Sequence, residues 1–136
     1  MVVDASVWIS AFVRQDVNHA ASRRWLAQRT TVSEDLIAPV ILLVEVGGGV
    51  SRRTGRPSLA RRAVRELLNA GKLRLIPLDR RLAQSAALLA VDLRLRGADS
   101  LYVATARQFA IPLVTWDREQ RDWAAAVVAA FEPAAR

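Results

Sequence analysis

Four of the thirteen carboxylates in this 136-residue chain stand where an acid is out of place. Asp4 ends the apolar run MVV and is followed by Val7, Trp8 and Ile9. Glu45 interrupts the apolar stretch LIAPVILLVEVGGGV, with Val40, Ile41, Val44 and Gly48 around it at helical spacings. Asp99 opens ADSLYVATARQFA, and Asp117 comes just after IPLVT. A buried carboxylate is costly without a cation or a proton for company. Each acid also has an ordinary reading. Asp99 and Asp117 could cap helices, and Glu45 could pair with Arg52 or Arg53. Asp4 is the hardest to dismiss, because a strand tip offers no capping geometry of its own. If the four converge, they repel unless a hard cation neutralises them. An all-oxygen set without His or Cys ligands favours magnesium or manganese over zinc.

The rest of the composition narrows the chemistry. There is no cysteine, so disulfides, thiolate zinc sites and cysteine nucleophiles are excluded. The single histidine, His19, cannot supply a two-histidine nuclease, and no motif supports a Ser-His-Asp hydrolase. A net charge of +7, carried almost wholly by arginine, points to a polyanionic partner: nucleic acid, or an acidic protein that mimics it. A basic protein with an acidic metal pocket suggests phosphodiester hydrolysis, with arginines holding the backbone and the metal activating water. No uncharged run reaches the roughly 18–20 residues of a membrane span. The N-terminus lacks a signal-peptide pattern, which implies a cytoplasmic protein with no membrane partner.

The elements that must position these acids alternate between strand and helix. Residues 1–4 read as a buried strand, and Ser6–Val13 as a helix. Asn18 caps a second helix through Arg29, with Ala21, Trp25 and Leu26 on one face. Leu36–Ala38 is a second strand, and Pro39 starts a helix running to Arg53. That start places Glu45 about 9 Å along the helix, so spacing alone does not bring it beside Asp4. Ser58 caps a fourth helix, closed by Gly71 in a left-handed conformation. Leu73–Leu78 is a third strand, and Asp79 caps a helix ending near Gly97. Asp99–Phe109 is helical, IPLVT is a fourth strand, and Asp117 starts a short helix. Val127–Phe131 reads as a last edge strand. Such alternation predicts one domain over 1–136, an α/β fold with four to five parallel strands between helical layers. Asp4 and Asp117 fall at the carboxyl ends of strands, where open parallel sheets build their sites.

The order VVDAS, LLVEVGGGVSRRTG, RGADSLYVATARQF and IPLVTWDRE resembles the PIN-domain family over essentially the whole chain, and most closely its VapC-type ribonuclease toxins. The resemblance implies a three-layer α/β/α sandwich and a Mg2+- or Mn2+-dependent endoribonuclease. It further implies a homodimer held off by a small antitoxin protein. Carried over residue by residue, the family's acids fall on Asp4, Glu45, Asp99 and Asp117, and its fold brings Glu45 to the shared pocket. Asp4 and Asp99 are then the direct metal ligands, with Glu45 and Asp117 completing the charge. Ser6 and Thr115 match the family's hydroxyl residues and would orient water or carboxylates. Arg52, Arg53, Arg56 and Arg118 follow these motifs and are candidates for RNA contact. Apolar residues on the second and third helices, including Trp25, Leu26, Ile41 and Leu42, offer an antitoxin helix a surface. A housekeeping PIN nuclease would have the same site. A non-catalytic RNA-binding PIN protein would normally have lost an acid, and all four are present.

Overall fold

The computed structural model describes residues 1–134. In chain order it contains β1 (Val2–Val3), α1 (Ala5–Phe12), α2 (His19–Thr31), β2 (Leu36–Pro39), α3 (Leu42–Thr54) and α4 (Pro57–Leu68). Then follow β3 (Leu73–Ile76), α5 (Arg80–Leu93), α6 (Gly97–Phe109), β4 (Leu113–Val114), α7 (Arg118–Ala124) and β5 (Ala130–Phe131). All strand pairs are parallel, in the order β3-β2-β1-β4-β5. Right-handed crossovers put α1–α4 on one face and α5–α7 on the other, giving the expected α/β/α layering. Val2, Val3, Leu113 and Val114 are wholly buried between those layers, which explains their unbroken apolar character. The chain leaves β1 in one direction toward β3 and returns to β4 on β1's other side. The switch point of the sheet therefore lies between β1 and β4.

Several boundaries move relative to the sequence reading. Pro39 does not start a helix: it is the last residue of β2, and the next amide, that of Val40, still bonds Ile76 O at 2.8 Å. Pairing with β3 thus overrides the helix-start preference of proline, and α3 begins only at Leu42. Glu45 consequently sits in the first turn of α3, close to the strand ends. Asn18 precedes α2 without a side-chain cap, and Ser58 lies inside α4 behind Pro57. The left-handed glycine is Gly55, closing α3, rather than Gly71. The helix after β3 ends at Leu93, with Arg94 left-handed, so Asp99 falls in the first turn of α6 instead of capping it. After α7, the amides of Val127 and Val128 still bond Ala124 O, and only Ala130–Phe131 pairs as a strand.

The triple glycine of α3 is explained by its neighbours. A Cβ on Gly49 would meet Ile9 Cδ1 of α1 at 2.6 Å, and one on Gly47 would meet Val64 Cγ2 of α4 at 3.3 Å. Gly48 faces only the guanidinium of Arg52 on its own helix. Gly48→Ala is therefore expected to stabilise the fold by about 0.5–1 kcal/mol through helix propensity. Gly49→Val is expected to cost about 1–3 kcal/mol by overpacking against α1. Denaturant midpoints of the two variants should move in opposite directions.

Candidate active site

Four elements bring acids toward the switch point: the tip of β1, α3, α6 and the start of α7. Asp4 follows β1, is only 5% exposed, and its amide continues the ladder to Val114 O at 2.9 Å. Contrary to the sequence reading, it does have a capping role: Oδ2 accepts from Ser6 N at 2.9 Å and so starts α1. Oδ2 also accepts from the Thr115 hydroxyl at 3.2 Å, and Oδ1 from Gln120 Nε2 at 3.3 Å. Since the one Thr115 proton goes to Asp4, the Ser6 hydroxyl must donate to Thr115 Oγ1 across their 3.3 Å contact. Ser6 Oγ and Thr115 Oγ1 in turn accept from the amides of Trp116 and Asp117, each at 3.0 Å. The two hydroxyls thus tie the tip of β1 to the turn that carries Asp117. Asp117 caps α7 through a 3.0 Å bond from Gln120 N, so its ordinary reading holds alongside its place near the other acids.

Glu45 is half-buried and, among the described residues, bonds no arginine; Oε2 accepts from the Tyr102 hydroxyl at 2.5 Å. Burial, and secondarily the charge of Asp4, raises its pKa above the usual carboxylate range, although the Tyr102 bond acts the other way. Asp99 is raised to about 6, first by burial and then by the charges of Asp4, Asp117 and Glu45. Burial, reinforced by Glu45, Asp4 and Asp99, pushes the Tyr102 hydroxyl upward too, so it stays a proton donor. Six other acids form ion pairs with arginines or the N-terminal amine. Among the described residues none of these four does, in a chain with twenty Lys and Arg. The acids feel one another without closing into a cage: among the described residues no three acid or histidine side chains come together closely enough to hold a metal ion. The donor set nevertheless fits a hard divalent cation. It offers only oxygen, carries uncompensated charge, and includes one carboxylate, Asp4, that is held by hydrogen bonds alone.

Residues 1–126 match the PIN domain. The chain belongs to the PIN-domain family. No curated protein matches it at the sequence level. Among solved structures it resembles VapC20 of Mycobacterium tuberculosis, a sarcin–ricin-loop-cleaving toxin, with a TM-score of 0.77 and 20% identity over 94% of this chain and 95% of that one. FitAcB of Neisseria gonorrhoeae superimposes with a TM-score of 0.70 and 22% identity, over 97% of this chain and 96% of that one. VapBC2 of Rickettsia felis, bound to a promoter DNA fragment, gives 0.68 and 14%, over 96% of each chain. At these identities the likeness establishes the PIN fold.

Within this PIN domain, two residues that sequence reasoning missed belong with the acids. Tyr102 lies one helical turn after Asp99 and holds Glu45. Gln120 is 1% exposed and places its amide between Asp4 and the Asp99 carbonyl, with Oε1 left without a partner among the described residues. The i+3 spacing from Asp99 was a signal for Tyr102; nothing in the sequence singled out Gln120. The arginine candidates divide. Arg53 pairs with Asp16 at 2.5 Å, Arg118 with Asp122 at 3.6 Å, and Arg52 lies back over Gly48, whereas Arg56 is exposed and forms no ion pair among the described residues. Trp25 and Leu42 are core residues, so of the four apolar residues named for a partner surface Leu26 and Ile41 remain partly exposed, with Val44 of α3 exposed beside them.

The raised pKa of Asp99 has a thermodynamic consequence. Between its ordinary value of 3.8 and about 6, the folded protein keeps a proton that the unfolded chain releases, so metal-free stability falls as pH rises through that window. Asp99→Asn cannot ionise. It is expected to melt higher than the wild type at pH 8 without metal, and the advantage should vanish below about pH 4. Thermal scans in chelator across that range measure it; a gain that is independent of pH would remove the electrostatic explanation.

No helix in the described residues is long and apolar enough to cross a membrane.

Proposed function

We propose that this PIN domain is a Mg2+- or Mn2+-dependent endoribonuclease acting as the toxin of a toxin–antitoxin pair. The observation that carries the reading is the buried Asp4 at the sheet's switch point, neighboured by Glu45, Asp99 and Asp117, none of them paired with a cationic side chain among the described residues. Asp4 and Asp99 would hold the metal, while Glu45 and Asp117 supply further negative charge. When bound, the cation contributes charge neutralisation and Lewis acidity toward the phosphodiester and the attacking water. The chain's own residues do the rest. Thr115 and Ser6 fix the Asp4 carboxylate and the Asp117 turn, Tyr102 aims Glu45, and Gln120 spans Asp4 and the start of α6.

The experiment is RNA cleavage with Mg2+ or Mn2+, with and without chelator. Cleavage is expected only when the cation is present and to return when it is resupplied; full activity in excess chelator would overturn the metal-dependent reading.

The partner side of the proposal is a homodimer inhibited by a small antitoxin. An apolar groove of about 520 Å³, with Trp8, Leu26, Leu36 and Leu73 in its walls, suits the apolar face of a short helix. The groove lies at the end of α1 remote from Asp4, so a further segment of the partner, beyond the seated helix, would carry a basic side chain to the carboxylates and compete with the cation. Co-expression with the product of the gene immediately upstream should yield an inhibited complex. Replacing the inserted arginine of the antitoxin with alanine should weaken it.

A further inference from the structure

At the ends of α1 and α3 remote from the acids lies a groove of about 710 Å³ whose walls carry Arg14, Arg23, Arg53, Arg56 and Arg62. Two of these cations are compensated, Arg53 by Asp16 and Arg62 by Glu66. Arg14, Arg23 and Arg56 are exposed and form no ion pair among the described residues. Three uncompensated guanidinium groups around one concavity, contributed by the segment after α1, by α2 and by the residue before α4, make a seat for successive anionic groups. Phe12 is half-buried in the wall of the same groove and also borders the neighbouring apolar one. Cations that track a backbone beside an aromatic face are what a single nucleic-acid strand requires.

We infer that this groove binds the phosphate backbone of single-stranded RNA away from the scissile bond, with Arg14, Arg23 and Arg56 on the phosphates and Phe12 stacking a base. The inference rests on the nuclease reading and names where its substrate lies. The α1 helix connects the two regions: Asp4 caps its start, and Ala11 and Phe12 at its end line the groove. Seven residues of helix span about 10 Å. That is about three nucleotides of a stacked strand at about 3.4 Å each. The groove therefore selects substrates that extend several nucleotides past the cut, a requirement the carboxylates alone would not impose.

The test uses the full chain carrying Asp4→Asn, so that RNA is bound without being cut, and a fluorescently labelled single-stranded RNA of mixed sequence. Affinity is measured by anisotropy over a range of salt concentrations. Combining Arg14→Gln, Arg23→Gln and Arg56→Gln is expected to lower the slope of log affinity against log salt by about 2, three contacts at about 0.7 each. Arg61→Gln, Arg65→Gln and Arg107→Gln together make the same charge change on exposed residues outside the groove and should leave the slope close to the parent's. Phe12→Leu keeps an apolar side chain but removes stacking; it should weaken binding about fivefold or more without changing the slope. Equal slopes in the groove and control triples overturn the proposal. So does a groove triple that keeps RNA binding while losing affinity for poly-glutamate, which would make the occupant an acidic protein. If chelator-sensitive cleavage by the otherwise native protein persists alongside those outcomes, only the groove assignment falls. If the native protein neither binds nor cuts RNA, the nuclease reading falls with it.

Discussion

Asp4→Asn is expected to lower cation-dependent RNA cleavage by at least about a hundredfold, since removing mere outer-shell partners of a metal site already costs 10–100-fold. The fold should survive. Asn is as good a helix N-cap as Asp, so its side-chain oxygen can still accept from Ser6 N and Thr115. The new amide would face Gln120 Nε2, two donors in opposition across what is now a 3.3 Å bond. Gln120 has a remedy in its unpartnered Oε1, which a flip of the amide turns toward the new donor. What the substitution removes is the buried charge, not the packing. Asp99→Asn should have a comparable effect on cleavage together with the pH-dependent gain in metal-free stability described above. If Asp4→Asn instead remains fully active, Asp4 is a helix cap without a metal role; if it proves unfolded, the carboxylate itself holds the fold and the cluster's role is structural.

What the sequence made legible follows from where the signals are local. Val2 and Val3, and Leu113 and Val114, are buried on both faces of the sheet, so the continuous hydrophobicity of their runs marked strands, and the acids just beyond them marked strand tips. The motif order then matched the PIN pattern, and the sheet order puts Asp4 and Asp117 just beyond the ends of the adjacent strands β1 and β4. What was not legible depends on distant partners. Pro39 reads as a helix start because its propensity is local, whereas the ladder to Ile76 that keeps it in a strand is not. That one residue moves the helix start by three positions, so Glu45 lies about 4.5 Å along α3 rather than about 9 Å. Gln120 meets Asp4 across 116 residues, and Arg53 meets Asp16 across 37, so neither pairing leaves a spacing signal. Helical periodicity put Trp25 and Leu26 on one face but could not say that the first is covered and the second only partly so.

The second large effect concerns Trp25, which is 1% exposed. α2 is weakly apolar: among its thirteen residues only Ser22 and Trp25 are buried. Its attachment to the domain therefore rests chiefly on the indole of Trp25 and on the Ser22 hydroxyl, which lies 2.6 Å from Ser10 Oγ and accepts from Trp116 Nε1 at 2.7 Å, with His19 Nδ1 2.9 Å from Ser10 O and Leu26 partly buried beside them. Arg29, its guanidinium 5.1 Å from the Trp25 ring centroid, adds a cation–π contact on the same helix. Trp25→Ala should cost about 3–5 kcal/mol, because the deleted ring leaves a cavity that so sparsely anchored a helix cannot fill. For a chain of this size that is a fall in melting temperature of roughly 10–15 °C. Near-native far-UV circular dichroism at low temperature, with faster proteolysis at Arg23, Arg24 and Arg29, would locate the loss in α2. The same loosening should weaken RNA binding, since Arg23 is carried by α2, and it should disturb the Asp117 turn through the Ser22–Trp116 bond. A loss below about 1 kcal/mol would mean that Trp25 does not anchor α2, and that the helix is held by its loops.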